Sequence, residues 1–407
     1  MEVLYPRCAG VDVHAETVVA VVRIAEGSRV TREAQRYGTT TRELLRLEEW
    51  LKGFGVTHVG MEATGVYWKP VWHVLEEHFA LVLGNAREIR NVPGRKTDMN
   101  DATWLADLVA HGLIRSSFVP PRPIQELRDL TRTRKQMTRE RGQHVQRLQK
   151  VLEDANVKLT NVLSDLTGAS GRAILEAIVR GQSDPEKLAS LASPRVKASK
   201  AELRDALHGR VSEHHRFMLQ LHLRQVDAID GAIELLEGQI ERALAPFRDQ
   251  AERVKNMPGM SDVMAATVIA EIGVDMQAFP SARHLLSWAG LSPQQNESAG
   301  KRKSSRTKRQ RWLKTAMVQA AWAASRKSNC YYHAQFLRLR ARRGAKKAVV
   351  AVAASMLTAV YHMLSEDVAY SELGQDYFHR LDRGKAANRL VRKLRAMGYE
   401  VDLRQAA

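Results

Sequence analysis

The sequence predicts an α/β domain with a mixed sheet, followed by a long helical middle region and a mainly helical C-terminal region. Short β-branched runs alternate with helical runs in the N-terminal part of the chain. Prolines at Pro120, Pro121 and Pro123 then mark a linker. Two long, charged segments with helical periodicity follow it, at 124–159 and 213–245.

The N-terminal strands and helices follow from periodicity and turn chemistry. The first two strands form a hairpin, because the polar run His14-Ala15-Glu16 separates two β-branched runs. Leucines at helical spacing predict the first helix, and Thr41 is its candidate cap. The predicted order is β-β-β-α-β-α-β-α, over residues 9–13, 17–24, 29–37, 41–54, 57–62, 66–78, 79–83 and a helix that follows Asp98.

Two aspartates open the last helix of this region. Asp98 and Asp101 are three residues apart, which places both side chains on one face of a helix. Like charges repel each other there, so the pair needs a divalent cation or a nearby lysine or arginine. A solvated helix start is the alternative, because Asp also favours the first turn of a helix.

Two further carboxylates lie on predicted strands. Asp12 sits within an apolar strand, where a charge needs a partner or a metal, and Glu62 ends the fourth strand. Because open α/β sheets bind ligands at their strand ends, these two can converge with Asp98 and Asp101. Carboxylate oxygens suit Mg²⁺ or Mn²⁺, and four carboxylates can hold the kind of two-metal site that cleaves phosphodiesters.

Composition points to a polyanionic partner. The 407 residues carry a net charge of +18, which favours a protein that binds nucleic acid over one that is merely basic and soluble.

Cysteine content and hydropathy indicate the expected compartment. The two cysteines, Cys8 and Cys330, leave no disulfide framework or cysteine zinc site and fit a reducing cytoplasm. No signal peptide is recognisable, and the longest apolar run, 348–364, is predicted to be a buried helix and not a membrane span.

The two long helical segments predict an antiparallel coiled coil of the kind that supports oligomerisation. Between them, glycine and proline breaks divide residues 160–210 into short helices. The first long segment, 124–159, has an incomplete apolar stripe, and arginines and lysines cover much of the remainder. Those cations form either the solvated face of a bundle helix or contacts to nucleic-acid phosphates.

A helical hairpin opens the C-terminal region. Residues 254–273 are similar to a helix-hairpin-helix element, in which the Pro258-Gly259 turn presents backbone N–H groups to a nucleic-acid phosphate. Ser261 stands where such a turn usually has its second glycine. A plain helical hairpin is an equally supported alternative.

The chain then reaches Ser298, in what the sequence predicts to be an irregular loop. A serine can act as a nucleophile when a base or a metal activates it.

The densest basic cluster of the protein follows Ser298 and leads into a helix at Trp312, which favours a nucleic-acid patch over a solvated face. Its cations are Lys301, Arg302, Lys303, Arg306, Lys308, Arg309 and Arg311. Residues 331–362 are predicted to be helical, and the basic tail to end in a strand near 399–403.

Short motifs along nearly the full length of the chain resemble those of a known protein family. They are Gly10-Val-Asp12-Val, Met61-Glu62-Ala-Thr-Gly65-Val-Tyr, Lys96-Thr-Asp98-Met-Asn-Asp101-Ala, Leu127-Arg-Asp-Leu-Thr-Arg, Glu153-Asp-Ala-Asn, Met257-Pro-Gly-Met, Trp288-Ala-Gly-Leu-Ser-Pro and Ser298-Ala-Gly-Lys301. With these motifs the chain resembles the insertion-sequence one-ten family of transposases, which are described as bridge-RNA-guided DNA recombinases. No single motif would be specific for this family, but the whole set of motifs is.

The resemblance implies an N-terminal domain of the RNase H type, RuvC-like, with a DEDD metal site. Asp12, Glu62, Asp98 and Asp101 match that DEDD motif one for one. The resemblance also implies a C-terminal transposase domain, in which a loop serine attacks DNA and forms a covalent phosphoserine link.

Ser298 matches the family's nucleophilic serine. The family often has Ser-Ser-Gly-Gly-Lys in this loop, and here the chain reads Glu297-Ser298-Ala299-Gly300-Lys301. Because the neighbouring serine is absent, Ser298 is the natural choice. The secondary candidates are Ser292, Ser304 and Ser305.

The implied domains are a RuvC-like DEDD domain at 1–118, a helical coiled-coil and linker region at 119–250, a serine transposase domain at 251–365 and a basic tail at 366–407. The implied activity is site-specific DNA recombination with Mg²⁺ or Mn²⁺. The implied partners are donor and target DNA, a noncoding guide RNA, and further copies of the chain in a dimer or tetramer. The expected location is the bacterial cytoplasm, at the nucleoid and away from membranes.

Two other functions fit the same residues. A metal-dependent, structure-specific nuclease similar to a Holliday-junction resolvase would use water as the nucleophile and leave no protein-linked DNA. A basic RNA- or DNA-binding scaffold with a vestigial metal site would carry out no chemistry. The presence of all four carboxylates argues against the scaffold.

Overall fold

The computed structural model describes residues 2–63, 65–86, 89, 101–293, 296–298, 301–303, 312–381 and 383–402. The chain forms two units, Met1–Val119 and Pro120–Ala407. The finer division of the second unit, at residues 250 and 365, stays a prediction.

The first unit contains a five-stranded mixed sheet with helices on both faces. Its described elements follow the order β-β-β-α-β-α-β-α, which confirms that prediction. They are β1 (Arg7–Val13), β2 (Thr17–Glu26), β3 (Arg29–Gly38), α1 (Thr41–Gly53), β4 (His58–Glu62), α2 (Trp68–Leu75), β5 (Ala80–Gly84) and α3 (Asp101–Ala110). This arrangement is compatible with an RNase H-like α/β domain.

The sheet has the strand order β3-β2-β1-β4-β5. Strands β1, β2 and β3 are antiparallel neighbours, whereas β4 runs parallel to both β1 and β5. Because β1 and β4 are parallel, their carboxyl ends meet at the same edge of the sheet.

The two faces of β1 have different neighbours because successive side chains point to opposite faces of a strand. Ala9, Val11 and Val13 are buried in a core that also contains residues of α1 and α2. Cys8 and Gly10 face α3 on the other side. The sheet is therefore covered on both faces, with α3 opposite α1 and α2.

The described part of the second unit is helical apart from one two-stranded ribbon. Its helices are α4 (Arg122–Asp154), α5 (Leu159–Val162), α6 (Ala169–Val179), α7 (Pro185–Ser190), α8 (Lys200–Ala206), α9 (Glu213–Leu244), α10 (Arg248–Lys255), α11 (Asp262–Ile272), α12 (Ala282–Trp288), α13 (Trp312–Ala324), α14 (Tyr331–Arg343), α15 (Ala345–Ser365), α16 (Tyr377–Leu381) and α17 (Arg383–Ala396). The ribbon consists of β6 (Asn296–Ser298) and β7 (Lys301–Lys303). Short 3-10 turns lie at Ala245–Phe247 and Met276–Ala278.

Helices α4 and α9 pack side by side in opposite directions. Arg141 Nη2 donates to Asp230 Oδ2 at 3.1 Å, and further along α4, Asp154 Oδ2 lies 2.9 Å from His215 Nε2. Later residues of α4 thus meet earlier residues of α9, as an antiparallel pair requires. The two long helices are confirmed, and a role for them in oligomerisation stays a prediction.

Helix α15 is long and apolar enough to cross a membrane, judged by length and composition alone. In this structure it packs against α12, α13 and α14. Val352, Met356 and Val360 are among its buried residues, which is expected of the buried helix predicted here.

The prediction that residues 331–362 are helical is confirmed, with one break at Gly344. The φ of Gly344 is +77°, which only glycine readily adopts, so the chain forms two helices, α14 and α15. The strand predicted near 399–403 is wrong over the residues that the structure describes. Residues 399–402 form no strand, and an unpredicted helix, α17, precedes them.

Candidate functional site

Helix α3 lies directly on the backbone of β1. A Cβ atom at Gly10 would be 2.1 Å from the Ala102 carbonyl oxygen and 2.4 Å from the Ala106 backbone nitrogen. Towards the start of the strand, the Cys8 Sγ atom donates to the Ala106 carbonyl oxygen at 3.4 Å, and Cys8 packs against Ala110. The helix therefore runs back along the strand, and its first turn lies at the carboxyl end of β1.

Asp12 and Glu62 occupy neighbouring positions at the carboxyl ends of β1 and β4. Gly10 pairs with Gly60 in the parallel register, and the two carboxylates stand two residues further along their strands. Alternate residues share a face and adjacent strands lie about 4.8 Å apart, so both carboxylates are on the face that α3 covers. Gly60 itself lies under α3, where a Cβ atom would be 2.3 Å from Val109 Cγ2.

Asp101 is the first residue of α3. It precedes Ala102, the residue whose carbonyl oxygen lies over Gly10. The structure thus brings Asp101 to the same end of the sheet as Asp12 and Glu62. The fourth predicted carboxylate, Asp98, lies outside the described residues.

The donor set fits a hard divalent cation in its chemistry, because carboxylate oxygens are the ligands that Mg²⁺ and Mn²⁺ prefer. The Asp12 side chain is 19% exposed, and its Oδ2 atom lies 3.1 Å from His14 Nε2. Within the described ranges, no group of three His, Cys, Asp or Glu side chains is close enough to hold a metal ion. Metal binding by these carboxylates stays a prediction.

An ion cluster not predicted from the sequence holds α3 to the antiparallel strands. Asp107 Oδ1 accepts hydrogen bonds from Arg23 Nε and Arg32 Nη2, each at 2.8 Å. Arg23 is only 4% exposed. Burial raises the pKa of the neighbouring Cys8 thiol to about 11, so this cysteine stays protonated and unreactive. In the sequence, Arg23 within a β-branched strand and Asp107 within an apolar helix could have indicated this cluster.

Ser298 lies in the ribbon and not in an irregular loop, so that prediction is wrong. The backbone pairing of β6 and β7 places Ser298 opposite Lys301 and Glu297 opposite Arg302. The two strands contain no β-branched or aromatic residue, which is why strand propensity did not reveal them.

The structure describes only some residues of the predicted basic patch. Lys301, Arg302 and Lys303 form β7. The secondary candidate Ser292 precedes the ribbon and is half-buried. The residues Ser304, Ser305, Arg306, Lys308, Arg309 and Arg311 lie outside the described residues.

The Pro-Gly turn between α10 and α11 packs inward. Gly259 has a φ of +83°, and a Cβ atom there would be 2.3 Å from the Ala320 carbonyl oxygen of α13. Ser261 caps α11, because its Oγ atom accepts a hydrogen bond from the Met264 backbone N–H at 3.3 Å. The serine at the second turn position therefore has a structural role, and a phosphate contact by this turn stays a prediction.

Comparison with known proteins gives matches at both ends of the chain. A DEDD transposase model of the IS110 type matches residues 9–157, and the model described as "Transposase IS116/IS110/IS902 family" matches residues 251–337. The 42 kDa protein of insertion element IS900 from Mycobacterium paratuberculosis is 26% identical over 336 residues, covering 72% of this chain and 80% of the relative. The 44.8 kDa protein of insertion element IS116 from Streptomyces clavuligerus is 26% identical over 295 residues, covering 62% and 71%.

Proposed function

The chain belongs to the IS110 family of transposases, and from this premise we propose that it cuts and rejoins DNA through a covalent phosphoserine intermediate. Asp12, Glu62, Asp98 and Asp101 bind Mg²⁺ or Mn²⁺, and Ser298 is the nucleophile. The observation that supports the proposal most is that Asp12, Glu62 and Asp101 lie at the same end of the sheet.

The carboxylates provide the electrostatic part of the reaction. A divalent cation held by them would supply positive charge against the negative charge that develops on a phosphate under attack. Gly10 lets the first turn of α3 lie on β1, which keeps Asp101 close to the strand that carries Asp12. Asp12, Glu62 and Asp101 are held by regular secondary structure, in β1, β4 and α3.

Ser298 provides the covalent step. Its Oγ atom forms a bond to phosphorus while the bond from phosphorus to one sugar oxygen breaks. The serine proton passes to a base, and the released sugar oxygen gains a proton. The phosphoserine ester conserves the free energy of the broken bond, so a sugar hydroxyl of the new DNA partner can reverse the step without an external energy source.

The partners follow from the same assignment. The cations of β7 bind DNA phosphates beside Ser298, and the basic residues at 306, 308, 309 and 311 extend that contact. A noncoding guide RNA selects donor and target DNA. The chain works as a dimer or tetramer, in which the α4–α9 pair serves as a coiled coil, in the bacterial cytoplasm at the nucleoid.

We expect Ser298→Ala to bind DNA and to form no covalent complex, because the attacking oxygen is removed. Labelled DNA that carries an end of the insertion element is incubated with protein and analysed on a denaturing gel. Wild-type protein gives a protein-linked band with Mg²⁺ and none after chelation. Ser292→Ala is the matched control and keeps the band.

Two outcomes would contradict this assignment. A covalent band that persists in Ser298→Ala places the nucleophile elsewhere. Free DNA ends without any protein-linked DNA in the wild type favour the nuclease that uses water.

A further inference from the structure

Three cations of helix α4 surround one tryptophan. Arg132, Lys135 and Arg139 have the spacing i, i+3 and i+7, which places them on one helix face. The Arg132 Cζ, Lys135 Nζ and Arg139 Cζ atoms lie 5.4, 5.9 and 5.6 Å from the ring centroid of Trp312, the first residue of α13. Each contact is favourable alone, but three like charges at one ring also repel one another.

Arg132 is neutralised and fixed in place. Its Nε and Nη2 atoms donate to the two carboxylate oxygens of the fully buried Glu271 at 2.7 and 2.8 Å. One turn earlier, Arg128 donates to the carbonyl oxygens of Ala270 at 3.0 Å and Glu271 at 2.7 Å. These bonds hold α4 against the C-terminal end of α11, where the helix dipole favours positive charge.

Lys135 and Arg139 differ from Arg132, the third cation at the Trp312 ring, and from Arg134 and Arg141 on the same helix. Among the described residues, neither has a carboxylate within ion-pair distance, whereas Arg134 and Arg141 are paired with acids of α9. Burial lowers the pKa of Lys135, the charge of Arg139 lowers it further, and the charge of Glu271 opposes both. Lys135 is half-buried and Arg139 is exposed beside it, so an anion that contacts both side chains relieves their mutual repulsion and stabilises both charges.

We propose that Lys135 and Arg139, held beside Trp312, bind a phosphate of duplex DNA. The choice of DNA rests on the proposed function. Trp312 follows Lys303, the last residue of the ribbon, by nine residues, and nine residues span at most about 30 Å. One turn of B-DNA is about 34 Å long. A phosphate at this cluster therefore lies within about one helical turn of DNA held at the ribbon.

The test compares two double variants of the full chain that each remove one lysine and one arginine from α4. Lys135→Gln/Arg139→Gln removes the proposed site, and Arg147→Gln/Lys150→Gln is the matched control. Both are made in the Ser298→Ala background, so that no chemistry intervenes. The probe is a fluorescent DNA duplex of arbitrary sequence and about 30 base pairs, or three helical turns.

We expect the first double variant to bind the duplex about tenfold more weakly at moderate salt. Its slope of log K against log salt concentration falls by about two, because each lost Lys or Arg contact to a phosphate reduces the slope by about one. The control stays within about twofold of its parent. Arg139→Gln alone, at an exposed position, shows the same direction with about half the change in slope.

Equal losses in both double variants, or no loss in either, would overturn the site. The same proteins are also titrated with single-stranded RNA of the same length, and a loss confined to RNA overturns the assignment to DNA. If the Lys135→Gln/Arg139→Gln variant binds DNA normally and the wild-type chain forms the covalent complex, only the phosphate site on α4 is refuted, and the proposed function stands. A wild-type chain that binds no DNA refutes the proposed function as well.

Discussion

Gly10 positions helix α3 because it has no side chain. The two nearest atoms that a Cβ would meet are backbone atoms of the helix, the Ala102 carbonyl oxygen and the Ala106 nitrogen. A side chain could rotate away from such a contact, whereas a helical backbone moves only as a whole. The separation of Asp12 and Asp101 therefore depends on the absence of a side chain at Gly10.

We expect Gly10→Ala to lower the free energy of unfolding by about 2 kcal/mol or more, because overpacking against backbone forces α3 away from β1. Urea unfolding of the full chain measures this change. Gly53→Ala, at the end of α1 where a Cβ atom meets nothing within 4 Å, is the control. It should be neutral or stabilising by up to about 1 kcal/mol. Equal stability of Gly10→Ala and the wild type would mean that α3 does not rest on the strand.

The paired helices α4 and α9 enclose two histidines that face each other. The Nδ1 atoms of His144 and His222 are 3.2 Å apart, and His222 is 8% exposed. Burial lowers the pKa of His222, and the nearby His144 and Arg147 lower it further. The folded pair of helices therefore favours the neutral form of this side chain.

This preference predicts that acid weakens the helical pair. The pKa of His222 is lower in the folded chain than its ordinary value of about 6.5 in the unfolded chain. Below about pH 6.5 the unfolded state binds more protons, so the contribution of His222 to stability is present above that pH and is lost as pH falls towards the folded-state value. Between pH 7 and pH 5, the urea midpoint should fall less in His222→Gln than in the wild type.

The exposed His208 provides the control for this experiment. His208→Gln should keep the full wild-type fall in midpoint. An equal fall in His222→Gln and the wild type would show that protonation of His222 does not oppose the packing of α4 on α9.

The proposed catalytic groups belong to different units of the chain. Asp12, Glu62 and Asp101 are in Met1–Val119, and Ser298 is in Pro120–Ala407. The proposed reaction needs both sets at one phosphate. An oligomer can supply them from different copies, which gives the proposed dimer or tetramer a catalytic purpose.

This arrangement predicts complementation between two inactive proteins. Ser298→Ala and Asp12→Asn/Glu62→Gln should each form no covalent complex alone, and their mixture should recover about a quarter of the wild-type yield. Half of randomly mixed dimers contain both chains, and one of the two sites in each is intact. Chains of different tag length show on a denaturing gel that the DNA is linked to the chain with Ser298. A mixture without any linked DNA would mean that each copy supplies its own serine and carboxylates.

The architecture of the first unit was largely predictable from the sequence, because local patterns specify it. Alternating β-branched residues gave the strands, and Asp12 and Glu62 stood out as charges at their ends. The ribbon at Ser298 could not be predicted in this way, since Asn-Glu-Ser and Lys-Arg-Lys have low strand propensity and pair only with each other. The bond between Arg132 and Glu271 joins residues 139 positions apart, and no local pattern reveals such a contact.

The close packing of α3 on β1 and β4 limits which residues of this protein can be substituted. Gly10 and Gly60 let α3 approach the backbone of both strands, and the ion cluster of Arg23, Arg32 and Asp107 holds the helix there, so residues at this interface determine where the acids stand. Residues on the outer surfaces can therefore be exchanged without displacing the acids. Engineering of nucleic-acid affinity should concentrate on those surfaces and leave both glycines untouched.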